Sequence, residues 1–231
     1  METIDIINII KNSKKTTHTI AYINGKIKSN NDNVFILDMG RCKIIIGELE
    51  EIQKIIEENK KDIVNYFLEI DRRNSKVPLL DYSKINARIE PGAIIRDHVI
   101  IGDNAIIMMG AVINIGAKIG SDTMIDMNAV IGGRSEIGNR CHIGAGSVIA
   151  GVIEPVSRVP VIIEDDVFIG ANAVILEGVR IAKQAVVGAG SIVTKDVEEL
   201  AVVVGNPARF IKYKDDALVK KSEIVEDLRL W

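Results

Sequence analysis

From residue 89 onward the apolar positions keep a strict six-residue step. Ile stands at 89, 95, 101, 107, 113, 119, 125, 131, 137, 143 and 149, and the step resumes in a new phase at Ile163, Ile169, Ile175, Ile181, Val187 and Val193. A second track of small or β-branched residues runs four positions later. It includes Ala93, Val99, Thr123, Ser135, Cys141 and Ser147, then Val167 through Val197. A period of six belongs neither to an amphipathic helix nor to a plain alternating strand. It suits a short strand and a turn, repeated. Ile points inward at each strand and the small residue fills the corner. Gly follows the inward residue at 102, 120, 132, 138, 144, 170 and 188. Such glycines, or polar residues in their place, make the turn where φ is free to be positive. Three strands close one triangular coil of 18 residues, and seventeen hexads give between five and six coils. Each strand then lies ~4.8 Å above its predecessor, with an Ile stack on the axis.

Residues 1–85 lack the step. Glu2 to Asn12, with Ile4, Ile6, Ile7, Ile9 and Ile10, predicts a first helix. Stretches 17–24, 33–38 and 41–46 are strand-like, with Asn24-Gly25 as a turn. Glu48 to Arg72 reads as one helix or two, with Ile52, Ile55, Ile56, Ile63, Val64, Phe67 and Leu68 as its apolar face. This is a small α+β domain, and covering the open strand edge of the first coil is a physical need of any solenoid. The break at 155–162, with Pro155 and Pro160, is an inserted loop leaving the wall. Residues 215–230, with Leu218, Ile224, Val225 and Leu228, predict a terminal helix over the other open end.

Composition narrows the function classes. The 29 basic and 32 acidic residues give a net charge of −3, without the basic footprint of a nucleic-acid binder. No apolar stretch approaches the length of a membrane span, and the acidic start of the chain does not read as a signal peptide. Two cysteines, Cys42 and Cys141, make no disulfide framework and read as reduced thiols of a cytoplasmic protein. His18, His98 and His142 include no close pair, and Cys141 lies on the inward small-residue track, so no metal site is expected.

Chemistry is expected where the repeat breaks its own rule. Asn114 and Asp126 stand where Gly usually follows the inward Ile. Either they are short polar residues that tolerate a left-handed turn, or they work in a site. Cys141 reads as packing. His142, read as a turn residue, is either a surface imidazole or a ring that reaches a groove.

The hexad pattern resembles that of the hexapeptide-repeat acyltransferases, and the resemblance implies their left-handed parallel β-helix, against the usual right-handed crossover. The expected architecture is mainly β. It comprises an α+β cap domain at 1–85, the β-helix acyltransferase domain at 86–212 with the loop 155–162, and a C-terminal helix within 213–231. Gly188–Asp196 and Val204–Arg209 are similar to the coenzyme A-binding end of this family. The resemblance implies that Gly170, Ala171 and Gly188 line the pantetheine arm and that Lys195, Arg209 and Lys212 meet its phosphates. The γ-class carbonic anhydrases share the helix, but their three-histidine zinc site has no counterpart here.

A closer resemblance covers nearly the whole chain. Asp71–Ser75, Ala87–Arg96, Met108–Ala111, Asn114–Gly116, Thr123–Asn128, Gly151–Pro155 and Ile163–Asp166 resemble the tetrahydrodipicolinate N-acetyltransferases. That resemblance implies a cytoplasmic homotrimer using acetyl-CoA as cosubstrate, with no permanently bound cofactor. The implied product is N-acetyl-2-amino-6-oxopimelate, on the route to diaminopimelate and lysine. Succinyl-transferring relatives share Thr123–Asp126 and Gly151–Pro155 but have a longer, different N-terminal domain, which favours acetyl. They place a glutamate where this chain has Val174. Their matching aspartate contacts the acceptor's amino group, which implies that role for Asp126. His142 is the alternative base, and Asn114, Glu154 and Arg158 are the acceptor-binding candidates. Succinyl transfer and a non-catalytic interaction scaffold are the competing readings.

Overall fold

The computed structural model describes residues 1–71, 75–153 and 159–215. The chain divides into two compact units, Asn12–Val77 on one side and Met1–Lys11 with the chain from Pro78 onward on the other. The first helix, α1 (Thr3–Asn12), thus belongs with the repeat and not with the residues that directly follow it. The reason lies in long-range packing. Ile6 is fully buried, and its Cδ1 occupies the space where Gly116 would carry a Cβ.

The smaller unit is a four-stranded antiparallel sheet with one helix. Its strands are β1 (His18–Gly25), β2 (Phe35–Met39), β3 (Cys42–Glu48) and β4 (Ile63–Ile70), in the order β2-β3-β1-β4. Helix α2 (Leu49–Glu58) buries Ile52, Ile55 and Ile56 with Ala21, Ile23 and Ile45. The helical reading of Glu48–Arg72 therefore holds only for its first half. Asn59 ends α2: its side-chain amide donates to the Ile55 carbonyl at 2.8 Å, and its Oδ1 accepts the Lys28 N–H at 2.8 Å. Beyond it, Ile63–Ile70 pairs with β1, Leu68 opposite Ala21 and Phe67 opposite Tyr22. The β-branched and aromatic side chains suit a strand, and partnership with β1 overrode the apparent helical face. Asn24-Gly25 is likewise not a turn. It ends β1 at an irregularity in the pairing with β4, where a Cβ on Gly25 would lie 2.5 Å from the Asp62 carbonyl oxygen.

The repeat folds as a parallel β-solenoid with three walls. Wall 1 stacks the strands at Arg88, Ile106, Met124, His142, Phe168, Val186 and Ala201–Val204, with Arg209–Tyr213 added antiparallel. Wall 2 stacks those at Ile94, Val112, Val130, Val148, Val174 and Ile192. Wall 3 stacks those at Ile100, Lys118, Glu136, Ile162 and Arg180. Register keeps every inward residue above its counterpart, as with Ile101, Ile119, Ile137, Ile163 and Ile181. The axial core holds the inward Ile track and the small-residue track together. Buried Thr123, Ser135 and Ser147 donate to carbonyls one coil on, those of Gly138, Ala150 and Gly170. Small polar residues are therefore tolerated inside the corners. At the first coil, Pro78–Leu80 bridges to the wall 2 strand: Leu80 N–H donates to Ile95 and Asp97 N–H to Pro78.

Turn chemistry differs from the sequence expectation in one respect. Positive φ falls two residues beyond the Gly that follows the inward residue, at Gly92, His98, Asn104, Gly110, Gly116, Asp122, Asn128, Arg134, Arg140 and Gly146. The glycine directly after the inward residue answers to close approach instead. A Cβ on Gly132 would lie 2.1 Å from the Gly151 nitrogen, and one on Gly170 2.5 Å from the Ala189 nitrogen. The predicted helix at 215–230 lies almost wholly outside the described residues.

Candidate active site

Three edges separate the walls; Asp126, Gly170 and Gly188 lie on one of them and Asn114 on another. The first edge, between walls 1 and 2, stacks Asp126, Gly144, Gly170 and Gly188. Each N–H donates to the next coil's inward residue: Asp126 to Ile143 at 2.9 Å, Gly144 to Ile169 at 2.8 Å, and Gly170 to Val187 at 2.8 Å. At ~4.8 Å per coil, Asp126 and Gly188 stand ~14 Å apart along the axis. Ala171, Ala189 and Gly190 are exposed beside this stack. The result is a ramp almost free of side chains, which lets an extended amide-bearing chain approach the backbone closely.

Asp126 stands at the N-terminal end of that ramp and is half-buried; at the same corner Met127, and Met109 one coil earlier, are 41% and 44% exposed. Its Oδ1 accepts the Met127 N–H at 2.7 Å. No cation among the described residues pairs with it, so its second oxygen is available to a ligand. Asp126 does not have positive φ, so tolerance of a left-handed turn does not explain it. The two methionines are site features that the sequence reading passed over. Their signal was a large apolar residue at a corner position that the later coils of this edge fill with Ala145, Ala171 and Ala189.

The second edge, between walls 2 and 3, carries Asn114. Its Oδ1 accepts the Ile115 N–H at 2.9 Å, the same local bond that Asp126 makes, and its φ is not positive either. Within one chain, wall 2 therefore separates Asn114 from Asp126. Lys195 also follows a wall 2 strand, so it too lies away from Gly170, Ala171 and Gly188. It lines a recess of about 630 Å³ with Arg209, Phe210 and Tyr213. Lys212 is ion-paired with Asp215. His142 lies in a wall 1 strand and not in a turn, stacked on Phe168 with ring centroids 4.7 Å apart and 13° between planes. Glu154 and Arg158 lie outside the described residues.

Cys141 is fully buried, and burial pushes its thiol up to about 12, so it stays protonated and inert at neutral pH. Its Sγ donates to the Glu164 carbonyl at 3.0 Å. Among the described residues no group of three or more His, Cys, Asp or Glu side chains is placed to hold a metal ion.

The three-walled parallel solenoid is the architecture of hexapeptide-repeat proteins, and the family matches make this one a transferase. Residues 116–151 match the family described as bacterial transferase hexapeptide (six repeats), and 160–195 match the hexapeptide repeat of succinyl-transferase. Residues 1–82 match tetrahydrodipicolinate succinyltransferase N-terminal. Over 230 residues the chain is 61% identical to the 2,3,4,5-tetrahydropyridine-2,6-dicarboxylate N-acetyltransferase of Thermosipho africanus, covering 99% of both chains. It is 55% identical over 231 residues to the protein of that name from Bacillus subtilis, covering 99% of this chain and 98% of the other. The chain belongs to the 2,3,4,5-tetrahydropyridine-2,6-dicarboxylate N-acetyltransferase family. The crystal structure of a hexapeptide transferase family protein from Anaplasma phagocytophilum shares the fold, with a TM-score of 0.52 and 24% identity over 63% of this chain and 84% of that one.

Proposed function

We propose that this chain transfers the acetyl group of acetyl-CoA to tetrahydrodipicolinate, giving N-acetyl-2-amino-6-oxopimelate for diaminopimelate and lysine synthesis in the cytoplasm. The observation that carries the reading is the identity of 61% over 99% of the chain, spanning both compact units. The chemistry fits the geometry. Water adds across the cyclic C=N bond and the ring opens, leaving a ketone and a primary amine. The neutral amine attacks the thioester carbonyl, the C–S bond breaks, and the amine's proton leaves while the CoA thiolate is protonated. Asp126 holds and deprotonates the amine, and His142 is the alternative base. The pantetheine arm lies along Gly170, Ala171 and Gly188, while Lys195 and Arg209 meet phosphates at the far end. Lys212 joins them by exchanging Asp215 for the ligand. Asn114, Glu154 and Arg158 hold the acceptor.

The division of these residues over two edges supports a homotrimer. Wall 2 lies between the edges and presents an apolar stripe, with Ile94, Val112 and Val130 exposed and Val148, Val174 and Ile192 half-buried. Packing that stripe against a neighbour around a threefold axis sets one protomer's first edge beside the next protomer's second edge. Sedimentation is expected to give about three times the 25.3 kDa chain mass. Val148→Asp, which puts a charge in the stripe, is expected to give monomers without activity. A wild-type monomer at micromolar concentration sinks the shared site.

Succinyl transfer is the second reading, favoured by the name of the family matched at residues 1–82. Thiol release from acetyl-CoA and succinyl-CoA, each with tetrahydrodipicolinate, separates the two. The expected result is turnover with acetyl-CoA at least about 100-fold more efficient, because an acetyl site has no partner for the extra carboxylate of a succinyl group and burying that charge unpaired costs at least the few kcal/mol this margin needs. A preference for succinyl-CoA reverses the assignment, and no turnover with either leaves the scaffold reading.

A further inference from the structure

We propose that Arg96 is a specificity-determining residue that binds one carboxylate of the acceptor; this rests on the acetyltransferase reading and names a residue of its acceptor site. Arg96 follows the first wall 2 strand and is exposed on the second edge. Its N–H donates to the Ile113 carbonyl at 3.0 Å, and the Asn114 N–H donates to Ile131 at 2.9 Å, so Arg96 and Asn114 occupy equivalent corners of successive coils. Together they line a groove of about 310 Å³ whose remaining wall includes Ile94, Val112, Val130 and Gly132. Ile94, Val112 and Val130 belong to the stripe that packs against the neighbour in the proposed trimer, so the cation and the amide border that interface and face the neighbour's first edge, where a carboxylate of the acceptor arrives.

The guanidinium is not already occupied. Asp97, the acid beside it in sequence, turns to its other neighbour: Oδ1 accepts the His98 N–H at 2.8 Å, and Oδ2 lies 3.9 Å from His98 Nε2. No ion pair or hydrogen bond engages the Arg96 side chain among the described residues. Arg134, two coils further along the same edge, shows the contrast. Its side chain is 7% exposed and holds the start of α1, donating to Thr3 Oγ1 and to the Met1 carbonyl at 3.2 Å and lying 3.4 Å from the Glu2 carboxylate. Arg134 is a structural cation, whereas Arg96 is a free one among the described residues.

Axial order places Arg96 on the acceptor side. Donor residues Gly170 and Gly188 lie C-terminal to Asp126, whereas Arg96 lies two coil steps, ~10 Å, on the N-terminal side of Asp126's coil. In the proposed trimer, on which this placement also rests, the second edge of one protomer faces the first edge of the next, so the offset matches an extended seven-carbon diacid plus the reach of an arginine side chain, with the amine left at Asp126 of the partner subunit. A planar guanidinium takes a carboxylate through two parallel N–H···O bonds, which an ammonium does not reproduce.

The test uses the full-length wild-type protein and two variants of position 96, Arg96→Met and Arg96→Lys. Acetyl transfer is measured to 2-aminopimelate, an open-chain amino diacid, and to its analogue with the distal carboxylate amidated. Binding of pimelate, an unreactive seven-carbon diacid, is followed by calorimetry. Arg96→Met is expected to raise the KM for 2-aminopimelate about 30- to 100-fold, the range of a lost charge-assisted bond. The KM for acetyl-CoA should stay level, and the preference for diacid over amide should collapse. Arg96→Lys should recover part of that preference. A diacid KM within twofold of wild type, or equal losses on diacid and amide, overturns the proposal. Pimelate binding that depends on Arg96 without any acetyl transfer overturns the activity reading and keeps Arg96 as a carboxylate site. A wild-type chain that neither binds pimelate nor transfers acetyl overturns both.

Discussion

Ile119→Asp is expected to leave no folded protein. Ile119 is 2% exposed on the inward face of wall 3, directly between Ile101 and Ile137 of the neighbouring coils. A carboxylate there meets only aliphatic side chains, with no donor to satisfy it. It must either ionise in an apolar column or take up a proton and still lack partners, at a cost of several kcal/mol. That is comparable with the whole stability of an ordinary domain, about 5–15 kcal/mol. Register makes the damage spread, because each coil is templated by the one below. Ile119→Val is the matched control, expected to cost only about 0.5–1.5 kcal/mol and to fold normally. Circular dichroism and thermal melting read the outcome. A soluble Ile119→Asp protein with a wild-type melting temperature would contradict the inward placement.

Asp126→Asn is expected to lower kcat by about 100-fold or more, the scale of a lost general base, while the fold stays intact. The structure contains its own control for the second half of that statement. Asn114 stands at the equivalent corner after wall 2 and makes the same side-chain bond to the next N–H, at 2.9 Å against 2.7 Å for Asp126. An asparagine at 126 therefore keeps the local geometry and removes only the charge. Stability should change by no more than about 0.5 kcal/mol, as for an ordinary surface substitution. Steady-state kinetics with a melting curve on the same sample separates the two effects. Near-normal kcat/KM would reduce Asp126 to a corner residue and pass the role of base to His142.

The parts of the site that were legible in the sequence share one property: they are fixed by the hexad itself. Once the step of six and the insertion at 155–162 are seen, Asp126, Gly170 and Gly188 fall on one edge. The same arithmetic separates Asn114 and Lys195 from them, a consequence that becomes plain only when the walls are assembled. His142 was misplaced by a single position. It precedes the inward Ile143, so it belongs to the strand and faces out of wall 1. The glycine rule was right in location and wrong in cause. Crowding between successive coils cannot be seen from a single repeat, whereas a requirement for positive φ is a local property that sequence habits suggest. Arg96 was passed over because nothing local distinguishes a free arginine from a paired one.

The sequence by itself determined the solenoid, its three walls and its inward core, because each contact in a stacked coil repeats at a fixed chain separation and so leaves a period in the residues. It also carried the family, through segments spread over nearly the whole length. Tertiary structure decided what has no period. It turned Ile63–Ile70 from an apparent helix into the partner of β1. It drew α1 onto the repeat through Ile6, Thr3 and Arg134, more than a hundred residues apart in the chain. It also left Arg96 without a partner among the described residues while burying Arg134. Each of these depends on which distant surface offers a partner, and pairing across such separations is settled only when the chain has closed on itself.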